Sequence, residues 1–203
     1  MRIIAGTLRG RKLEAPDGII TRPTSDRVKE AWFNMIGPLE GRVLDLYAGT
    51  GALGFEALSR GCEHAVFVER DRKACKMLQH NARRLGLLER ITVIENSVEN
   101  SRKRIEQEAP FDLIVSDPPW TLWEEVERTL KRTLKATLLK DDGQLVVGAE
   151  KGTPLILGEA SGLHERTSRS WGRACASFYL KPSEDEASDD AWDFHDSPTE
   201  NET

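Results

Sequence analysis

One stretch limits the folds open to this chain more than any other: an apolar run, a glycine turn and a helix-forming run in direct succession. Arg42-Val43-Leu44-Asp45-Leu46-Tyr47 reads as a buried strand, and Ala48-Gly49-Thr50-Gly51-Ala52-Leu53-Gly54 follows at once. Residues 55–60 then continue in good helix formers to a stop at Gly61. The same order recurs downstream. A strand at 64–69 precedes an amphipathic helix at 71–85, with Ala74, Leu78, Ala82 and Leu85 in one stripe and Gly86 as its stop. A strand at 91–95 precedes a charged helix at 98–108, and a strand at 111–116 precedes a helix at 124–138 with Val126, Leu130, Leu134 and Leu138 on one face. Asp141-Asp142-Gly143 turns into a strand at 144–148, and two more strands, at 164–170 and 174–181, join through a hairpin at Trp171-Gly172-Arg173. Strand–helix alternation of this kind specifies a parallel sheet with helices on both faces. Upstream, Thr24 or Ser25 caps a helix that runs through Val28, Trp32 and Met35 to Gly37-Pro38. Residues 1–20 alternate basic and apolar positions between Gly6, Gly10 and Gly18, which predicts a β-hairpin arm.

The glycine turn sits where a ligand can approach the backbone at a helix N-terminus. The strand at 64–69 ends in Glu69, an acid placed to accept hydrogen bonds from ribose hydroxyls. Read literally, Gly49 to Gly54 matches G-x-G-x-x-G, so a nicotinamide or flavin enzyme is a competing reading. Asp45 argues against it. A pyrophosphate beside that carboxylate would be repelled, whereas the amino and sulfonium cations of S-adenosylmethionine would be attracted. The predicted cofactor contacts are Asp45, Ala48, Gly49, Thr50, Gly51, Glu69, Arg70, Asn96, Ser97, Val98 and Asp117.

Asp117-Pro118-Pro119-Trp120 follows the strand at 111–116. The prolines stiffen the backbone and leave carbonyl oxygens to accept hydrogen bonds. The Asp117 carboxylate is a further acceptor, and the Trp120 indole offers a face for stacking. Together the four residues suit transfer of a group to the amino nitrogen of a flat ring, and they are the predicted catalytic set. A polar turn beside an unrelated core Trp is the plainer alternative. Nothing in hydride transfer calls for this motif.

These motifs resemble those of the RsmD-type 16S ribosomal RNA guanine-N2 methyltransferases over residues 2–182. The resemblance rests on the opening Arg2-Ile3-Ile4-Ala5-Gly6-Thr7-Leu8-Arg9-Gly10-Arg11-Lys12-Leu13 and on Thr21-Arg22-Pro23-Thr24-Ser25-Asp26-Arg27-Val28-Lys29-Glu30-Ala31-Trp32-Phe33-Asn34. Residues 45–58, Glu69 and residues 117–120 fall in the same order and at similar intervals. The resemblance implies a Rossmann-like, class I S-adenosylmethionine-dependent methyltransferase with a mostly parallel seven-stranded sheet. It also implies ribosomal RNA, naked or in the assembling small subunit, as partner. Three departures stand out. Trp120 replaces the usual Tyr or Phe, Asn96-Ser97-Val98 occupies the adenine-recognition region, and residues 183–203 have no counterpart. A DNA adenine-N6 or cytosine-N4 methyltransferase would use the same tetrapeptide, although no extra target-recognition domain is visible. A non-catalytic RNA-binding assembly factor that kept the fold is the third reading, and the intact Asp117, Gly49, Gly51 and Glu69 argue against it.

Charge divides the chain. Residues 183–203 hold nine acids and no Lys or Arg, so removing them takes the net charge from −5 to +4. Such a segment is too poor in apolar residues to fold alone and is expected to be disordered. The basic excess gathers early, and Arg9, Arg11, Lys12, Arg22 and Arg27 are the predicted RNA contacts. The expected organisation is an arm at 1–20, a methyltransferase domain at 21–182 and an acidic tail at 183–203. Three scattered cysteines fit reduced thiols in the cytoplasm. Four scattered histidines show no metal-ligand spacing, so no metal is expected. No apolar run is long enough for a membrane helix, and a monomer is expected.

Overall fold

The structure, a computed structural model, describes residues 1–15 and 25–182. Seven strands form one sheet in the order β3-β2-β1-β4-β5-β7-β6. They are β1 (Arg42–Leu46), β2 (His64–Glu69), β3 (Ile91–Glu95), β4 (Phe111–Ser116), β5 (Leu139–Glu150), β6 (His164–Trp171) and β7 (Ala174–Leu180). The first five are parallel, and β7 is antiparallel to both β5 and β6. Strand order reverses between β1 and β4, and in open α/β sheets the crevice beyond the strands' carboxyl ends at such a point receives the ligand.

The central strands are apolar on both faces because both are covered. Val43, Leu113, Val115, Val146, Ala176 and Phe178 point into one core with Trp32, Phe33, Phe55 and Phe67. Leu44, Leu46, Ile114, Leu145 and Val147 point into the other, with Ile105, Val126 and Leu130. Helices α1 (Asp26–Ile36), α2 (Ala52–Arg60) and α3 (Arg72–Leu85) contribute to the first core, α4 (Arg102–Glu108) and α5 (Trp123–Thr133) to the second.

Sequence punctuation and helix ends agree at α1 and α3. Ser25 Oγ accepts from Val28 N at 3.3 Å and Asp71 Oδ1 from Ala74 N at 2.7 Å, while Gly37 and Gly86 close the two helices. Several boundaries differ from the sequence expectation: α4 begins at Arg102 after a 3-10 turn at Glu99–Ser101, and β5 extends beyond 144–148 at both ends. Helix α2 begins at Ala52 because the Gly51 carbonyl already accepts from Phe55 N at 2.9 Å, so the helix starts inside the glycine turn. Helix α5 stops at Thr133; Leu134 is extended (φ −76°, ψ 114°), so that the chain can enter β5, where Leu139 pairs with Phe111. The Asp141-Asp142-Gly143 turn lies inside β5 as a bulge, for pairing resumes at Gln144 opposite Leu113.

Residues 1–15 form a short hairpin through the antiparallel Arg2–Lys12 bridge, and it lies on α2. Ile3 and Leu13 are buried in the first core. The fully buried Glu56 carboxylate accepts from Ile4 N at 2.7 Å, Ala5 N at 3.0 Å and Arg60 Nε at 2.8 Å, and pairs with the buried Lys29 ammonium at 3.4 Å. Lys29 Nζ donates in turn to the Arg2 carbonyl at 2.5 Å. Burial pulls the Lys29 pKa down, opposed first by Glu56 and then by Asp26. One charged cluster thus ties hairpin, α1 and α2 together.

Candidate active site

The glycine turn begins with strain. Tyr47 leaves β1 in the left-handed region (φ 58°), a conformation that costs a β-carbon-bearing residue about 1–2 kcal/mol. Gly49 (φ 55°) and Gly51 (φ 88°) share that region without the penalty. A Cβ at Gly49 would point into open space, whereas one at Gly54 would stand 2.2 Å from Phe67 Cε1. Gly54 therefore serves close packing of α2 on β2, and Gly49 leaves the backbone approachable.

Two carboxylates brace the turn. Glu69, at the end of β2, accepts from Gly49 N at 2.8 Å and from Asp71 N at 2.8 Å. Asp45, on the core face of β1 and 1% exposed, accepts from Gly54 N at 2.9 Å, close to the start of α2. Burial pushes its carboxyl up to about 8; the Gly54 N–H partly offsets this, and the negative charges of Asp117 and Glu69 add to it. Carboxyl groups from three neighbouring strands therefore share one field, which disfavours a phosphate and favours a cation able to draw Asp45 into its ionised form. Asn81 holds the turn from α3. It donates to the Thr50 carbonyl at 3.3 Å and to the Glu14 carbonyl at 3.0 Å, and accepts from Glu14 N at 2.9 Å.

The remaining predicted cofactor contacts lie along the same sheet edge. Ala48 and Thr50 are buried in the turn, and Arg70 is exposed just past β2. Beyond β3, Asn96 is exposed and its Oδ1 accepts from Ser97 N at 2.8 Å, Ser97 is half-buried, and Val98 is buried. Asp117-Pro118-Pro119 leaves β4 in register with these ends, and Trp120 opens a 3-10 turn to Leu122. Asp117 and Trp120 are half-buried, Pro118 is buried and Pro119 exposed.

Two residues absent from the predicted set shape the Asp117 side of the crevice. A Cβ at Gly148, in β5, would lie 2.7 Å from Asp117 Oδ1 and 2.6 Å from Trp32 Cη2. Glycine is thus required by close approach, and a glycine inside the apolar run Leu145-Val146-Val147-Gly148 was the available signal. Trp32, in α1, is 1% exposed, and its Nε1 finds no acceptor among the described residues. Tyr47 was also missed, since only the backbone reveals its conformation; burial, then Glu125, pushes its hydroxyl up to about 12.

Among the predicted RNA contacts, Arg9, Arg11, Lys12 and Arg27 are exposed and unpaired among the described residues, while Arg22 lies outside them. The hairpin tip rests against Ser59, whose carbonyl accepts from Thr7 N at 2.8 Å. That is eight residues past Gly51, roughly 12 Å along α2 from the glycine turn. Among the described residues no group of three or more His, Cys, Asp or Glu could hold a metal ion, and no helix is long and apolar enough to cross a membrane.

Comparison with known proteins bears on this geometry. Residues 1–180 match the family described as Conserved hypothetical protein 95. The chain belongs to that family. A Bacillus subtilis relative, YlbH, described as a candidate rRNA methyltransferase, is 42% identical over 162 residues, 76% of this chain and 85% of its own length. The ribosomal RNA small subunit methyltransferase D of Haemophilus influenzae is 37% identical over 162 residues, covering 78% and 83%. The solved structure of an Escherichia coli candidate methyltransferase, yhhF, superposes with a TM-score of 0.72 at 29% identity, over 91% of this chain and 99% of that one. The sheet is therefore the Rossmann-like sheet of class I methyltransferases. The family match spans the hairpin, the glycine turn, Asp117–Trp120 and the terminal β6–β7 pair, and ends before residues 183–203.

Proposed function

We propose that this protein transfers a methyl group from S-adenosylmethionine to the exocyclic N2 amino group of a guanine in small-subunit (16S) ribosomal RNA. The observation that carries the proposal is the convergence of Asp45, Glu69 and Asp117 at one edge of the sheet, beside a strained glycine turn and the Asp-Pro-Pro-Trp corner. The anionic field suits the cofactor's amino and sulfonium cations. Glu69 can meet the ribose, the backbone at 48–51 the amino-acid portion, and Asn96 to Val98 the adenine. Relatives described as rRNA methyltransferases support an RNA substrate, and Arg9, Arg11, Lys12, Arg22 and Arg27 supply basic residues to meet its backbone.

When bound, S-adenosylmethionine supplies a methyl group on a sulfonium that is electrophilic enough for direct displacement. The protein's task is to make a poor nucleophile ready. The guanine amino lone pair is delocalised into the ring. Accepting hydrogen bonds from its two N–H groups at the Asp117 carboxylate and the Pro118 carbonyl localises that pair and fixes its direction. Trp120 stacks on the base, an interaction worth about 1–3 kcal/mol in aromatic–base contacts. The nitrogen, once alkylated, sheds a proton, and Asp117 is the acceptor at hand. A paired guanine hides its amino group, so the target is unstacked or lies in a loop.

The test is transfer of labelled methyl groups to small-subunit rRNA that lacks the modification, offered naked and in assembled subunits, followed by digestion to nucleosides. N2-methylguanosine is the expected product. Label on adenine N6 or cytosine N4 would retain the chemistry and reject the base. Absence of transfer by a protein that still binds S-adenosylhomocysteine would favour the non-catalytic assembly role.

A further inference from the structure

Strand β6 closes the sheet as an edge strand and is exposed along most of its length. Pairing with β7 slips between Glu165 and Thr167, leaving Arg166 as an extra residue. A bulge of this kind re-aims a side chain. Here it brings Arg166 to the α1 side of the sheet, where Arg166, Thr167, Arg169, Phe178 and Met35 line a groove of about 290 Å³. Both arginines are exposed and neither has an ion-pair partner among the described residues. By contrast, Arg173 in the adjoining hairpin is already paired with Glu150 at 2.6 Å.

The register ties this groove to the crevice. Arg169 opposes Ala176, and Ala176 opposes Gly148, the residue whose Cβ position abuts the Asp117 carboxylate. Two inter-strand steps separate Arg169 from Gly148, about 10 Å at the usual strand spacing. Ala176 between them is small, so the Arg169 side chain can lie across it. Arg166 stands three residues further along β6, roughly another 10 Å away. Two unpaired guanidinium groups thus lead outward from the catalytic corner. The hairpin tip, in contrast, sits against the far end of α2.

Resting on the proposed RNA methylation, we propose that the β6 edge is an RNA-docking surface, with Arg169 and Arg166 engaging phosphates of nucleotides flanking the target guanine. Bidentate guanidinium forks suit phosphate, and the bulge serves to place both on one face. The exposed charges also discourage β6 from pairing edge-to-edge with a second copy.

The test uses the full chain and small-subunit rRNA as probe. In R166Q/R169Q the log–log dependence of RNA affinity on salt should flatten by about 1.4, two contacts at about 0.7 each for single-stranded RNA. R166K/R169K should keep most of the slope, and S-adenosylhomocysteine affinity should be unchanged in both. Independently of any variant, photo-crosslinking of the wild-type chain to 4-thiouridine-substituted rRNA should recover residues 164–171. An unchanged slope in the Gln pair, or crosslinks confined to other elements, overturns the inference while leaving methylation intact. A wild-type dimer that dissociates in the Gln pair would assign the surface to a second copy. A wild-type chain that neither binds nor methylates RNA refutes both proposals together.

Discussion

At the residue scale, Gly148 is the most exacting position in the site. Its Cβ vector points between the Trp32 ring edge and Asp117 Oδ1, both closer than 3.0 Å to where a methyl carbon would stand. The indole is held in the core, so the β5 backbone must shift away from it and the Asp117 carboxylate must yield as well. Gly148→Ala should therefore lower single-turnover methylation by about 10²-fold, the scale of a 1 Å misplacement, with S-adenosylhomocysteine affinity within a few-fold of wild type. Equal loss of both in calorimetry and turnover would mean that the whole edge had shifted. Asp45 gives a second prediction, about pH. Its folded pKa, about 8, lies above the unfolded value of 3.8. Between these values the native state holds a proton that the unfolded chain has released, so this group's contribution to stability falls as pH rises from about 4 to about 8. A cationic cofactor favours the ionised form, so binding at pH 7 should expel a proton. Calorimetry in buffers of different ionisation enthalpy should show greater proton release for wild type than for Asp45→Asn. That difference separates Asp45 from the cofactor's own amino group; identical release by the two proteins would exclude its titration on binding.

At the scale of elements, the Lys29–Glu56–Arg60 cluster decides whether the hairpin stays on the domain. Glu56 receives two hairpin amides and Lys29 donates to the Arg2 carbonyl, with both charged side chains fully buried. Lys29→Met removes one charge of a buried pair and should destabilise the protein by about 3–5 kcal/mol, with the loss concentrated in hairpin, α1 and α2. Hydrogen exchange at Ile4 and Ala5 would report it, and unaltered protection there would contradict the coupling. Nothing in Lys29 or Glu56 as letters announces this pairing, because the partners are 27 residues apart and meet only in the folded chain. The sheet was more legible. Strands buried on both faces read as continuous apolar runs, and Ser25, Asp71, Gly37 and Gly86 marked helix ends by local chemistry. Legibility failed where tertiary context overrode a local pattern: the leucine stripe ran on through Leu134 and Leu138, although α5 ends at Thr133. In the site, Asp45 could be picked out as a carboxylate inside an apolar strand, and Glu69 and Asp117 as acids at the carboxyl ends of theirs. Trp32 could not, since its place beside Asp117 depends on how α1 crosses β5.

For the whole molecule, charge is distributed so that domain and tail oppose each other. The full chain carries −5, yet without the nine acids of residues 183–203 it would carry +4. A polyanion approaching from beyond a Debye length, about 8 Å at physiological salt, meets a screened net repulsion; nearer the domain it meets Arg9, Arg11, Lys12, Arg166 and Arg169, which have no ion-pair partner among the described residues. Long-range repulsion slows encounter, whereas local contacts set the lifetime of the complex. Removing residues 183–203 should therefore raise the association rate with small-subunit rRNA at low salt and leave the dissociation rate nearly unchanged. The gain should shrink as ionic strength rises, because screening removes the long-range part first. Stopped-flow binding across a salt series measures this, and a free peptide of residues 183–203 separates it from direct occupation of the basic residues. Direct competition would let the peptide slow association of the truncated chain at low salt, whereas a long-range effect of net charge would not. An association rate indifferent to truncation at low salt would show that the acidic segment takes no part in RNA encounter.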